Sequence, residues 1–239
     1  MRTRFAGRPL SLDRENGMSR LYGPHHRALQ DRFDMRRLAD GIEQRNVKSE
    51  ISQQHKEFIE SRDMFWLATV DHEGRPTVSY KGGDPGFVRV LDPRTIAFPC
   101  YDGNGMFYSM GNLMGNGKVG MLFASFVRPH RLRVQGLASV RDDDPLLSEY
   151  FEALMIVRVT VTEIFRNCPR YVHRYDKVKV SEFVPQAGKK TPLAGWKRVD
   201  SVQAELAAKD QGRAAREGGT CTRQEYETYI EGVSRSDVS

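Results

Sequence analysis

The chain has 239 residues, with 37 Lys or Arg against 31 Asp or Glu, a formal excess of +6 at pH 7. Its 39% hydrophobic and 28% charged residues suit one large or two small domains with a buried core, and the length excludes a long repeat array. Cys100, Cys168 and Cys221 are too few and too scattered for a disulfide framework or a zinc site, and no stretch approaches the roughly 20 apolar residues of a membrane helix.

The opening Met1-Arg2-Thr3-Arg4-Phe5 is basic and has no apolar segment behind it, so a cytoplasmic, soluble protein without a secretory signal is expected. Residues 1–62 form a polar first region with little strand signal. Leu29, Phe33, Leu38 and Ile42 recur near helical spacing and predict an amphipathic helix over residues 24–44, weakened by Gly41. Ile51, His55, Phe58 and Ile59 give a second, shorter stripe. The pair His25-His26 lacks a third metal ligand at useful spacing.

From residue 63 to 185 the pattern changes to short apolar or alternating runs separated by turn residues. Residues 64–70 and 77–81 flank Asp71-His72-Glu73-Gly74-Arg75-Pro76, residues 87–91 and 95–98 flank Asp92-Pro93-Arg94, and residues 119–126 and 132–140 flank Arg128-Pro129-His130. Residues 156–165, rich in Val and Thr, read as a further strand. Helices are predicted over residues 106–114 and from Asp144, where Pro145 suits the first helical position. Strands at this spacing indicate an antiparallel sheet closed into a barrel or sandwich. Residues 186–239 are rich in Lys, Ala and Gly and predict a loosely packed, partly disordered helical tail, with a helix over residues 201–216. A capping box at Thr222-Arg223-Gln224-Glu225 leads into Tyr226, Tyr229 and Ile230.

Three features in the middle region suit a flat, anionic ligand. Strand alternation puts Ser79 and Lys81 on one face beside Gly82-Gly83, a hydroxyl and an ammonium able to meet a phosphate. Asp102-Gly103-Asn104-Gly105 leads into a helix bearing Ser109 and Asn112, where amides and small polar side chains can hold phosphate or ribityl hydroxyls. Arg131, Arg133 and Gln135 share one strand face opposite Leu132 and Val134. Each has an ordinary reading as an exposed edge, a turn or a wet strand face, and Cys168 reads first as a small hydrophobe. A nucleic-acid-binding barrel would place aromatics on an exposed face, whereas most here lie within apolar runs.

In this order the segments resemble the pyridoxamine 5'-phosphate oxidase superfamily, most nearly its branch of predicted flavin-nucleotide-binding proteins. The resemblance is carried by residues 58–70, 74–79, 82–88, 102–113, 119–123 and 131–136, and less securely by Asn167-Cys168-Pro169-Arg170-Tyr171-Val172-His173. It implies a mainly β (α+β) fold, a six-stranded antiparallel split β-barrel with peripheral helices, forming a homodimer that holds one FMN in each of two clefts between subunits. By position, Ser79 and Lys81 would lie near the FMN phosphate and Tyr80 is a further cofactor-binding residue, with Asn104, Ser109 and Asn112 contributing from the loop and helix. Arg131 or Arg133 would approach the isoalloxazine or the phosphate, and Arg170 and His173 the substrate side. The implied activity is an FMN-dependent oxidoreductase on a small-molecule substrate, with a flavin carrier or sensor as the alternative and no nucleic acid, membrane or metal involved. The family's best-known enzyme has additional Arg and Lys residues where this chain has Ser79, Phe107, Tyr108 and Ser109. It also has a C-terminal Arg-Leu and Arg-x-His signature that is not found here, which counts against vitamin B6 oxidation.

Overall fold

The computed structural model describes residues 19–236, with side chains to residue 232. The leader reading at residues 1–5 therefore lies outside the described residues. Seven strands form one antiparallel sheet: β1 (Met64–Val70), β2 (Pro76–Gly82), β3 (Arg89–Asp92), β4 (Thr95–Tyr101), β5 (Lys118–Ser125), β6 (His130–Arg141) and β7 (Ala153–Asn167). Their order across the sheet is β2-β1-β5-β6-β7-β4-β3. The six strands implied by the resemblance are thus corrected to seven, the number of runs legible in the sequence. The short β3 is folded back on β4 by the Asp92-Pro93-Arg94 turn, pairing Val90 with Ile96.

The sheet is rolled. Strands β1 and β4 are separated by three strands in the order, yet the Phe65 and Phe98 rings lie edge to face with centroids 5.0 Å apart. Alternation sends Phe65 and Leu67 of β1, Met121 and Phe123 of β5, and Leu132 and Val134 of β6 into the same interior, where all are buried. Burying about 25 cal/mol per Å² of apolar surface makes this interior the main source of stability. Gly136 sits where β6 slips register against β7, and a Cβ there would lie 2.4 Å from the Thr160 carbonyl oxygen. Only glycine lets the two long strands approach so closely.

The helix predicted over residues 24–44 is two helices, α1 (Pro24–Arg32) and α2 (Arg36–Asn46). The break falls at Asp34, whose φ of 52° is left-handed and incompatible with a continuous helix, while Gly41 lies inside α2. Helix α3 (Gln53–Glu60) begins at Ser52, whose hydroxyl accepts from the His55 amide, and buries Ile59 in the barrel. Asp144 caps a 3₁₀ turn (Pro145–Glu149), where an α-helix start was expected. Helix α4 (Tyr108–Gly115) lies within the residues 106–114 reading but for one residue.

In the C-terminal region the expected helix over residues 201–216 is replaced by a 3₁₀ turn (Asp200–Glu205) and the short α5 (Arg213–Arg216). Gly212, at φ 69°, interrupts them, and there are too few large apolar residues to stabilise a longer helix. Helix α6 (Arg223–Ser236) starts at the predicted capping box, with Glu225 N–H donating to Thr222 Oγ1 and Thr222 N–H to the Glu225 carboxylate.

Candidate functional site

Strand alternation carries Thr77, Ser79 and Lys81 to one side of the edge strand β2. Facing them are Cys100 and Tyr101 at the end of β4, the loop of residues 103–107, and the first turn of α4. Together they enclose a cavity of about 460 Å³. The loop turns back through two left-handed residues, Gly105 (φ 78°) and Phe107 (φ 48°), so that the start of α4 points at β2. Ser109 Oγ then lies 3.0 Å from Ser79 Oγ, joining helix and strand across the cavity.

The charge balance here is one-sided. Lys81 is half-buried and its ammonium has no hydrogen bond or ion pair among the described residues; burial pulls it below the usual lysine value. No Asp or Glu lines the cavity. Phe107 offers no side-chain cap to α4, so the first-turn amides stay free of such a partner. Burial pushes up the neighbouring Cys100 thiol and the Tyr101 phenol, which keeps both neutral. Donors without an anionic partner thus meet a wall of Tyr101, Met106, Phe107 and Tyr108.

Two straps fix this geometry. Asn112 does not line the cavity: it is buried and donates from Nδ2 to Thr69 Oγ1 (3.0 Å) and Thr77 Oγ1 (3.3 Å), which are themselves 2.7 Å apart. Tyr108 donates to the buried Asp71 carboxylate (3.0 Å), which also accepts from Arg75 Nε (2.8 Å). Burial pushes Asp71 up, but the hydrogen bonds from Arg75 and Tyr108 outweigh it and hold the carboxyl well below the usual range. The loop is anchored separately, since Lys197 bridges Asp102 (2.7 Å) and the buried Asp210 (2.6 Å).

Of the residues singled out from the sequence, Ser79, Lys81, Asn104 and Ser109 line the cavity. Asn104 is exposed there and accepts from the Met106 amide (3.1 Å). Six others lie elsewhere in the single chain. Tyr80 takes the opposite side of β2 by alternation and is 63% exposed. Asn112 is the strap just described. Arg133 stands on the outer sheet face beside Trp66 and Val78, and Arg131 donates to the Cys168 carbonyl at the far end of β6. Arg170 and His173 are exposed on the segment after β7, near Tyr171 and Tyr175. The aromatic wall was missed. Thr77 was legible, two residues before Ser79 on the same strand face.

The donors fit the phosphate of a flavin nucleotide, and the aromatic and thioether wall fits a flat ring. The fit rests on the unpartnered Lys81 and the acid-free lining. Among the described residues no cluster of His, Cys, Asp and Glu is arranged to hold a metal, and no helix is long and apolar enough to cross a membrane.

A search of curated proteins gives no match. Among solved structures, a putative pyridoxamine 5'-phosphate oxidase from Lactobacillus delbrueckii aligns at 24% identity over 49% of this chain and 95% of its own, with TM-score 0.41. An FMN-binding protein from Syntrophomonas wolfei aligns at 11% identity over 59% and 97%, with TM-score 0.40. HutZ, the heme storage protein from Vibrio cholerae, aligns at 22% over 48% and 93%, with TM-score 0.36. The family profile described as pyridoxamine 5'-phosphate oxidase matches residues 51–168, the segment that contains all seven strands and α4. Through that segment the chain belongs to the pyridoxamine 5'-phosphate oxidase superfamily.

Proposed function

We propose that the chain is an FMN-binding oxidoreductase of the pyridoxamine 5'-phosphate oxidase-like type, within the flavin-nucleotide-binding branch, acting on a small-molecule substrate. The observation that carries this reading is Lys81, a half-buried ammonium without an anionic partner among the described residues, in a cavity lined by donors and aromatic rings.

Lys81 and the Ser79–Ser109 pair would bind the phosphate, with the first-turn amides of α4 adding their dipole. Tyr101, Phe107 and Tyr108 would pack the ring and exclude water from it. The bound flavin supplies the capacity to accept or donate a hydride. The chain's own task is orientation, since no carboxylate or histidine lines the cavity to act as base.

We extend the proposal to a homodimer. The outer face of β2, β1 and β5 exposes Val78 and Tyr80 next to Trp66 and Leu122, an apolar surface that a second copy would cover. Val78 borders both that face and the cavity, and Arg133 stands beside it, so assembly would bring this guanidinium closer to the bound ring than one chain does.

The same lack of a side-chain base suits a second reading, a flavin carrier or sensor. Anaerobic reduction by NADH or NADPH separates the two. Reduction much faster than that of free FMN supports the oxidoreductase, and a rate equal to free FMN supports the carrier.

A further inference from the structure

Residues 103–107 form one wall of the cavity around Lys81, and none of them is buried. Gly103 and Asn104 also line a neighbouring cavity of about 540 Å³, bounded by Leu193, Trp196, Lys209 and Arg213 of the C-terminal region. The loop is therefore a partition between two spaces, with no core packed behind it. The hydrogen bonds within it, between Asn104 and Met106, are local. Such a wall keeps one shape only if its ends are held.

At the far end Tyr108 donates to the buried Asp71 (3.0 Å). At the near end the hold comes from 95 positions away: Lys197 Nζ lies 2.7 Å from the Asp102 carboxylate and 2.6 Å from that of Asp210. Lys209 also reaches Asp102, at 3.3 Å, but its side chain is 52% exposed where that of Lys197 is 9% exposed. An exposed pair contributes little, so the hold falls to Lys197.

The anchor stands without the loop. Lys197 lies in the 3₁₀ turn Gly195–Arg198, in a region where Leu193, Val199, Leu206 and Ala214 are buried. The buried Asp210 keeps the ammonium there and is itself met by Arg213 at 3.2 Å. Burial works against the Lys197 charge, but the hydrogen bonds to Asp102 and Asp210 outweigh it, so the ammonium keeps its proton more firmly than an ordinary lysine. Both Lys197 and Asp210 lie beyond the family segment, residues 51–168.

We infer that Lys197 is a positioning residue for the cofactor cavity: its ammonium pins Asp102 and so holds the 103–107 wall against the flavin ring, a role that rests on the flavin reading above for its ligand.

Asp102→Ala tests it in the full chain. It cuts the tie and leaves Lys197 compensated by Asp210, so circular dichroism and the denaturation midpoint should stay as in the wild type. Chymotrypsin should cut the ligand-free variant after Phe107 or Tyr108 about tenfold faster, the effect of losing a charge-assisted hydrogen bond. FMN and riboflavin should both dissociate about tenfold faster, because the wall meets the ring they share, whereas Lys81→Met should weaken FMN alone. Lys209→Ala should change neither readout. Should Asp102→Ala prove misfolded, Asp102→Asn keeps the shape, removes the charge and is expected to shift both readouts in the same direction. Unchanged cleavage in the folded Asp102 variant overturns the pinning, and an equal change in Lys209→Ala overturns its assignment to Lys197. Faster cleavage with unchanged flavin dissociation overturns the positioning role. A wild type that binds neither flavin overturns the flavin reading and the positioning role with it, while the cleavage comparison, made without ligand, still decides the pinning.

Discussion

Replacing Lys81 by methionine should move affinity and stability in opposite directions. In the free protein the ammonium is half-buried and without an anionic partner among the described residues, so burial works against its charge, as its lowered proton affinity shows. Methionine keeps the length of the side chain and puts an apolar end in the same place. At about 0.8 kcal/mol per buried methylene, discounted for partial burial, the ligand-free variant gains roughly 0.5–1 kcal/mol. For a domain of this size that raises Tm by about 1–4 °C. Binding FMN should suffer, because a charge-assisted hydrogen bond to phosphate is worth about 1.5–3 kcal/mol, or about 10–100-fold in Kd. Scanning fluorimetry on ligand-free protein measures the first effect, and flavin fluorescence titration the second. Riboflavin, which has no phosphate, supplies the control, since the two proteins should bind it alike. Equal FMN affinity in the wild type and Lys81→Met would refute the assignment of Lys81 to the phosphate, and a fall in ligand-free Tm would refute the claim that its charge is uncompensated.

Asn112→Ala removes both strap hydrogen bonds but leaves Thr69 and Thr77 paired with each other. Chemical denaturation should show a loss of about 2 kcal/mol, and FMN should bind more weakly because α4 no longer holds Ser109 against Ser79. Gly136→Ala places a Cβ 2.4 Å from the Thr160 carbonyl oxygen, so stability should fall by about 3 kcal/mol, the upper end for overpacking. Asp144 is buried and accepts from both Arg158 Nε (2.5 Å) and Nη2 (2.8 Å), which depresses its proton affinity in the folded state. The stability it contributes is present above its unfolded-state value of 3.8 and is lost as pH falls through the lower folded-state value. Asp144→Asn should therefore flatten the decline of Tm between about pH 5 and pH 3.

The strands were legible because alternation and turn residues act locally. Asp71 to Pro76 and Asp92-Pro93-Arg94 each reverse the chain with little tertiary help, pairing β1 with β2 and β3 with β4, and the seven runs read from the sequence are the seven strands. The same alternation rule put Ser79 and Lys81 on one face, and Tyr80, named with them as a cofactor residue, falls on the other. What failed was assignment by helical spacing alone: Ser109 and Asn112 are three residues apart, yet one meets Ser79 and the other runs under α4 to the β1–β2 hairpin. Spacing fixes a helix face, but only packing fixes which neighbour each end of that face meets. The break at Asp34 was invisible because aspartate is an ordinary helix residue to a hydrophobic pattern, whereas Gly41, the expected weak point, is tolerated inside α2. The Lys197–Asp102 link joins residues 95 positions apart, and no local signal announces it.

The central claim is that the cavity around Lys81 binds FMN. The direct measurement is to saturate the full chain with FMN, remove the excess by gel filtration, record the visible spectrum, then denature the protein and quantify the released flavin. The account predicts a flavin spectrum and about one FMN per chain, falling sharply for Lys81→Met under the same washing. A colourless protein after the same treatment, or flavin retained equally by the wild type and the variant, would contradict it.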